Sequence, residues 1–326
     1  MSSLHYIDNT PIHVELDTSL AKAGWKITSI GGGYLDTVHN PELDRHLADG
    51  GSLRYRITGP SFAGADQDLV KAVVDSAVAK GKSVFNSPKI RISSDPAIGS
   101  VLNLSQTDYF QGLATNEIAL KTAVLPDGRS INGTDMAFPS NIIPSLSQAK
   151  LSNHLGAGAL AFDAAGFVSL VRTGKASMVS AQKIAPSAAG SADATDFKDC
   201  ENDLVDCVLA GLKRELIEEQ GITESDIQMA RIIGFQRNIS RGAKPEFIGL
   251  IKISDTWKNT RKGISEEEAV FTEGHIDLDC RSLGLNGLRT WLRDNDDHLS
   301  FSVKQCFFAL FAIAKTDADL QALITV

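Results

Sequence analysis

The sequence predicts an α/β protein: a mixed-sheet α/β/α sandwich over residues 148–326, preceded by a smaller α/β domain with its linker over residues 1–147. Three observations carry this reading. Strand-like and helical periods alternate along the chain, which argues for helices packed on sheet faces. The chain has 326 residues, enough for two domains, and 43% of them are hydrophobic, enough for a real core. The segment from Pro126 to Lys150, PDGRSINGTDMAFPSNIIPSLSQAK, is rich in Pro, Gly, Asn and Ser and carries neither period, so it reads as the link between the parts.

Before the link, HVEL (His13–Leu16), SLRYRI (Ser52–Ile57) and KIRI (Lys89–Ile92) read as short strands. Between the last two, Asp66 to Phe85 reads as an amphipathic helix, with Leu69, Val73, Val74 and Val78 at helical spacing. After the link, HLGAGALAF (His154–Phe162) and GFVSLV (Gly166–Val171) are strands separated by the hairpin-like gap Asp163–Ala165. A loop rich in Ala, Ser and Gly leads to a charged helix from about Asn202 to Gln220. RIIGF (Arg231–Phe235), EFIGLIKI (Glu246–Ile253) and HIDLD (His275–Asp279) continue the strands, and Leu285–Asn295 and Ser300–Lys315 close the chain as helices.

The formal charge of −8, with no long basic run to offset it, gives no reason to expect general nucleic-acid binding. The four cysteines, Cys200, Cys207, Cys280 and Cys306, form no CxxC pair, which reads as reduced thiols. The N-terminal stretch MSSLHYIDNTPIHVELD is polar and acidic, unlike a signal peptide. The apolar run CFFALFAIA (Cys306–Ala314) is too short to span a bilayer. The expectation is a cytoplasmic protein that does not enter membranes.

The charged helix ends in KRELIEEQGI (Lys213–Ile222). At 100° per residue, Val205, Leu209, Leu212 and Leu216 share a face expected to meet the core. Glu215, Glu218 and Glu219 lie on an adjacent face as i, i+3 and i, i+4 neighbours. Like charges at such spacing cost roughly 0.2–0.5 kcal/mol per pair. The negative end of the helix disfavours them further, since Gly221 is a natural left-handed C-cap. A divalent cation held by carboxylate oxygens would explain the arrangement; a solvated acidic face is the alternative. Arg214, four residues before Glu218, is placed to fix one carboxylate.

Arg214, Glu215, Leu216, Glu218, Glu219, Gly221 and Ile222 match the pattern R-E-L-x-E-E-x-G-I, and on these residues the chain resembles the Nudix hydrolase family. The resemblance implies a Nudix fold for about residues 148–326 and hydrolysis of a diphosphate linkage with Mg²⁺ or Mn²⁺. It makes Glu215, Glu218 and Glu219 metal ligands and, with Arg214, catalytic residues. The family glycine expected fourteen residues before the arginine falls on Cys200, and the glutamate expected eight residues before it falls on Asp206. Gly190, in PSAAGSAD, is therefore assigned as that glycine, ahead of an insertion, with a metal contact from its vicinity.

Glu266, Glu267, Glu268 and Glu273 are candidates for a further carboxylate, against a solvated loop. Phosphate contacts are expected from Arg172 and Lys175 at the end of a strand, and from Arg237, Arg241 and Lys244 in a turn between two strands; arginine suits such contacts. His154 and His275 read as structural histidines with satisfied hydrogen bonds, and Phe301, Phe307, Phe308 and Phe311 as core.

Two earlier stretches narrow the resemblance. SVFNSPKIRI (Ser83–Ile92) and VLNLSQTDYFQGLATNEIA (Val101–Ala119) are similar to phrases of the eukaryotic Nudix UDP-glucose/UDP-galactose diphosphatases, matching at Asn86, Lys89, Tyr109 and Asn116. This implies a small-molecule nucleotide partner, with a UDP-sugar cleaved to UMP and a sugar 1-phosphate. ADP-ribose or another nucleotide, and a domain that senses a nucleotide without cleaving it, stand as alternatives. A homodimer is left open.

Overall fold

The protein is seen in a computed structural model that describes residues 4–9, 13–30, 36–82, 84–177, 180–197, 200, 202–254, 263–264 and 268–325. Among these, nine strands form the main sheet: β1 (Lys26–Ser29), β2 (Asp36–His39), β3 (Gly156–Phe162), β4 (Phe167–Thr173), β5 (Ile184–Ala185), β6 (Ala188–Ser191), β7 (Ile227–Asn238), β8 (Lys244–Ile253) and β9 (Thr272–Asp279). The hydrogen-bonded order is β5-β4-β3-β8-β7-β2-β1, with β6 also paired to β3 and β9 to β4. β3 and β8 run parallel, and their neighbours pair antiparallel, so the sheet is mixed.

The helices that matter are α1 (Pro41–Ala48), α2 (Gln67–Ala79), α3 (Leu204–Gln220), α4 (Cys280–Asp294), α5 (Phe301–Ile313) and α6 (Asp317–Thr325). Along β8, Phe247 and Ile251 enter the core under α3, while Ile248 and Leu250 enter the core under α5. This is the two-residue period of a strand with both faces covered. β3 is buried at every position for the same reason. Small residues let both helices close in: a Cβ on Gly249 would lie 2.7 Å from Leu212 of α3, and one on Gly158 would lie 3.3 Å from the Cys306 sulfur of α5. A bulge between Ile232 and Gly234 puts Ile232 and Phe235 on the same face, although three positions apart.

β1 and β2 come from the first part of the chain and extend the sheet beyond β7. Their neighbours Trp25, Val38 and Leu43 share one core with Leu212 and Phe247. Two smaller three-stranded sheets flank this body, one of His5–Asp8, Lys121–Val124 and Ser130–Asn132, the other of Tyr55–Ile57, Pro88–Ile92 and Leu102–Asp108. The segment 126–150, which reads in the sequence as a link with neither period, holds regular structure. It holds a strand (Ser130–Asn132), a short helix (Gly133–Ala137) and a second strand (Ile142–Ile143), and it buries Phe138, Ile143 and Leu146. Its Pro, Gly and Asn mark turns, but the apolar residues between them anchor it. The helix expected over 66–85 is α2, capped by the Asp66 carboxylate and ended before Gly81, where φ is 71°.

Candidate functional site

α3 is fixed at both ends. The Asp203 carboxylate accepts from the Val205 amide at 3.0 Å, as an N-cap, and from the Leu53 amide at 3.0 Å. Gly221 ends the helix in the left-handed region (φ 65°), its amide donating to the Ile217 carbonyl. The buried stripe is Leu204, Cys207, Val208, Gly211, Leu212 and Leu216, whereas Val205 and Leu209 are only partly buried. The stripe is thus rotated from the expected one, because Leu204 and Val208 seat under the sheet. The rotation carries Glu215 to the edge of the buried side, one turn beyond Gly211.

Glu215 therefore faces β6. A Cβ on Gly190 would lie 2.1 Å from the Glu215 Oε1, so only glycine leaves room for the carboxylate there. Burial pushes the Glu215 carboxyl up to about 7; the Arg214 charge pulls against this, and the nearby Glu218 charge adds to it. Arg214 Nη1 meets Glu215 Oε1 at 3.0 Å and Glu218 Oε2 at 3.1 Å. The rest of its guanidinium donates to Asp196 at 3.2 and 3.3 Å and lies 3.6 Å from Asp193. Burial opposes its charge, but the Asp196 hydrogen bonds and the carboxylates around it outweigh that and raise its pKa. Glu219 Oε2 accepts from the Ala189 amide at 3.0 Å, next to Gly190.

Two further contacts lock the end of α3. Gln220 is buried; its Oε1 accepts from the Ser169 hydroxyl at 3.0 Å and its Nε2 donates to the Ser187 carbonyl at 3.1 Å. His275 Nε2 lies 2.9 Å from the Glu219 carbonyl, which can only accept, so this nitrogen carries the proton. From the first part of the chain, Lys89 pairs with Asp193, which also faces Arg214. Asp193 and Asp196 were not singled out from the sequence. Their signal is two acids in GSADATDF, eighteen and more residues before the arginine they meet; only the fold brings that loop back to α3.

The basic residues expected to contact phosphate divide. Arg172 and Lys175 are exposed at the end of β4, and among the described residues no hydrogen bond or ion pair joins their side chains to the three glutamates. Arg237, Arg241 and Lys244 are not an exposed turn set. β7 and β8 run on to Asn238 and from Lys244, leaving only residues 239–243 as the turn. Arg237 is fully buried, donating to the Pro144 carbonyl at 2.9 Å and to Asp95 at 3.2 Å. Arg241 is held by Glu117 and, at 3.0 Å, by Glu246, which Lys244 also meets at 3.1 Å. These three charges are spent on carboxylates inside the protein.

Asn116 bonds Asn153 and the Arg241 carbonyl, each at 3.0 Å, and Asn86 accepts from the Phe110 amide, so both hold turns. Tyr109 packs toward His154. His154 departs from expectation: it is buried, and neither ring nitrogen has a hydrogen-bond partner among the described residues. Burial and the surrounding Lys244, Arg241 and Lys89 charges keep it neutral. Glu273 is exposed on β9; Glu266 and Glu267 lie outside the described residues, as does the Glu268 side chain.

Among the described residues, no three His, Cys, Asp or Glu side chains converge closely enough to hold a metal ion as they stand. Two carboxylates do converge, however: Glu215 and Glu218 meet on a single cationic nitrogen of Arg214. A cation at that point would meet carboxylate oxygens from both, and Glu219 is one residue along. The donor set is all oxygen, as Mg²⁺ and Mn²⁺ require. Among the described residues no helix is long and apolar enough to cross a membrane. All four cysteines are unpaired.

No protein-family model matches the chain, and no curated protein matches it. Several solved structures bear a slight likeness to it, DR0079 and Tm1382 among them. DR0079 from Deinococcus radiodurans gives a TM-score of 0.28 at 11% identity, over 42% of this chain and 74% of that one. Tm1382, proposed to be a Nudix hydrolase, gives 0.31 at 12% identity, over 56% and 78%. Likeness at this level carries no argument about what the chain does.

Proposed function

We propose that the chain is a Nudix-type pyrophosphatase that hydrolyses a nucleoside diphosphate joined to another group, with Mg²⁺ or Mn²⁺ as cofactor. The observation that carries the proposal is the seat of Glu215 against Gly190, with Glu218 converging on the same cationic point. Glu215, Glu218, Asp193 and Asp196 share the cations Arg214 and Lys89, which leaves more carboxylates than cations in the cluster; a further cation would offset that excess, and a site of this charge would otherwise repel a diphosphate. When bound, the divalent cation neutralises the diphosphate and lowers the pKa of a water. Glu215, Glu218 and Glu219 would hold it. Arg214, held in turn by Asp193 and Asp196, orients Glu215 and Glu218. The Ala189 amide fixes the Glu219 carboxylate. Arg172 and Lys175, free of internal carboxylates among the described residues, are the basic groups open to phosphate.

The substrate reading is a UDP-sugar, cleaved to UMP and a sugar 1-phosphate. Its support is the pair of phrases around Asn86 to Lys89 and Tyr109 to Asn116; Lys89 reaches the acidic cluster through Asp193. The test is incubation of the protein with Mg²⁺ and a panel of nucleoside diphosphate derivatives, with products separated by chromatography. UMP from UDP-glucose is expected. AMP from ADP-ribose would redirect the substrate, and binding without products would make the domain a sensor. Glu218→Gln and Glu219→Gln should each abolish turnover while the protein stays folded by circular dichroism. Full activity in both would remove the site.

A further inference from the structure

A second site lies on the other face of the sheet. A cleft of about 710 Å³ opens between α1, β7 and the C-terminal helices α4, α5 and α6. It shares no residue with the acidic cluster at α3. Its size is that of a small-molecule pocket. Arg45, Arg231, Arg289 and Lys315 reach it, in a protein whose formal charge is −8. Phe308 and Phe311 provide an apolar wall.

The charges are unusually free. Among the described residues none of the four makes an ion pair with a carboxylate, whereas Arg214, Arg237, Arg241 and Lys244 all do. Arg231 projects from β7 on the same face as Ile233, toward α5. Its Nε is enclosed and has no hydrogen-bond partner. An enclosed N–H without a partner is costly, and the partial burial of Arg231 works against its charge. The Arg289 guanidinium lies 4.2 Å over the Phe311 ring, and Lys315 donates to the Phe311 carbonyl at 3.1 Å. Both cations are thereby held beside the aromatic wall. Two acids also line the cleft. Asp44 is already engaged, by His39 at 2.9 Å and the Phe235 amide at 2.9 Å, and Asp49 is exposed. The balance stays positive.

We infer that this cleft binds a small organic anion: a carboxylate or phosphate head, set on Arg231 with Arg45, Arg289 and Lys315 around it, and an aromatic or short acyl body against Phe308 and Phe311. The inference is independent of the chemistry at α3. The test uses the full chain and the aromatic sulfonate 8-anilinonaphthalene-1-sulfonate, titrated by fluorescence. Saturable binding at one site is expected. Octanoate and phenyl phosphate serve as competitors that distinguish an acyl carboxylate from an aromatic phosphate, and displacement by either supports the site. Inorganic phosphate at equal concentration should not displace the probe; if it does so as well as they do, the apolar part of the inference is wrong. Arg231→Met and Arg289→Ala should each weaken the probe about tenfold, the loss expected for one charged contact. Arg231→Met should also keep or raise the melting temperature, since it removes an enclosed N–H that has no partner among the described residues. A merely structural arginine would lower it. Unsaturable binding, or probe affinity unchanged in both variants, overturns the site.

Discussion

Glu215 is the residue on which the acidic site turns, and two measurements address it alone. An alanine at Gly190 would force its methyl to within 2.1 Å of the Glu215 carboxylate. The side chain can swing away, so Gly190→Ala should cost only about 1–3 kcal/mol of stability. Turnover should fall by on the order of 100-fold, because a reacting group misplaced by about an ångström costs that much. Thermal unfolding and initial rates measured on one preparation separate the two effects. The second measurement is pH. Folded Glu215 keeps its proton up to about 7 against an ordinary 4.5. Between those values the folded state binds more protons than the unfolded one. Stability of the metal-free protein therefore falls as pH rises through that window, by on the order of 3 kcal/mol at about 1.4 kcal/mol per unit. Urea unfolding in EDTA from pH 4 to pH 8 should show this slope, and Glu215→Gln should flatten it. An equal slope in the variant would mean that other carboxyls, such as Asp44 or Asp95, carry the effect.

The elements show what a period in the sequence can and cannot disclose. α3 was legible with its Gly221 stop, because a charged amphipathic helix followed by glycine is a local signal. Its rotation was not, because Val205, Leu209, Leu212 and Leu216 and the observed Leu204, Val208, Leu212 and Leu216 fit the same period almost equally well. Only the seat against β6 and β8 selects between them. That small rotation is what turns Glu215 toward Gly190 at the edge of the buried side. The hairpin of β7 and β8 misled for a related reason. Arg237 and Lys244 look like loop residues, yet their charges are met by Asp95, distant in sequence, and by the neighbouring Glu246, so the strands extend through them. The motif's own spacing pointed to Cys200, and Gly190 could be named only by supposing an insertion; Asp193 and Asp196 carried no signal, since nothing local ties that loop to a helix. The Gly221 stop can be tested directly. Alanine in the left-handed region costs about 1–2 kcal/mol, and its Cβ would lie 2.7 Å from the Gly263 backbone. Gly221→Ala should lose at least that much stability, read by denaturant unfolding; a neutral result would show that the helix end relaxes at no cost.

At the scale of the molecule, composition suggested a break near residue 147, and the packing links the two sides of it in several places. β2 pairs with β7 across it at Gln236, Arg237 and Asn238, so a chain beginning at 148 would uncover that stretch of sheet edge. Trp25, Val38 and Leu43 would leave the core that holds Leu212 and Phe247. Charges would lose their partners: the buried Arg237 would be left without Asp95, and the partly buried Arg241 and Asp193 without Glu117 and Lys89. Breaking one buried ion pair by removing a partner costs roughly 3–5 kcal/mol, and a domain has only about 5–15 kcal/mol in total. Residues 148–326 expressed alone should therefore fail to fold cooperatively, even though they contain the whole acidic motif. Calorimetry of the full chain should show a single transition involving both parts. A soluble 148–326 fragment with a sharp melting transition of its own, or two well-separated transitions in the full chain, would show that the shared core and the crossing ion pairs contribute far less than their burial implies.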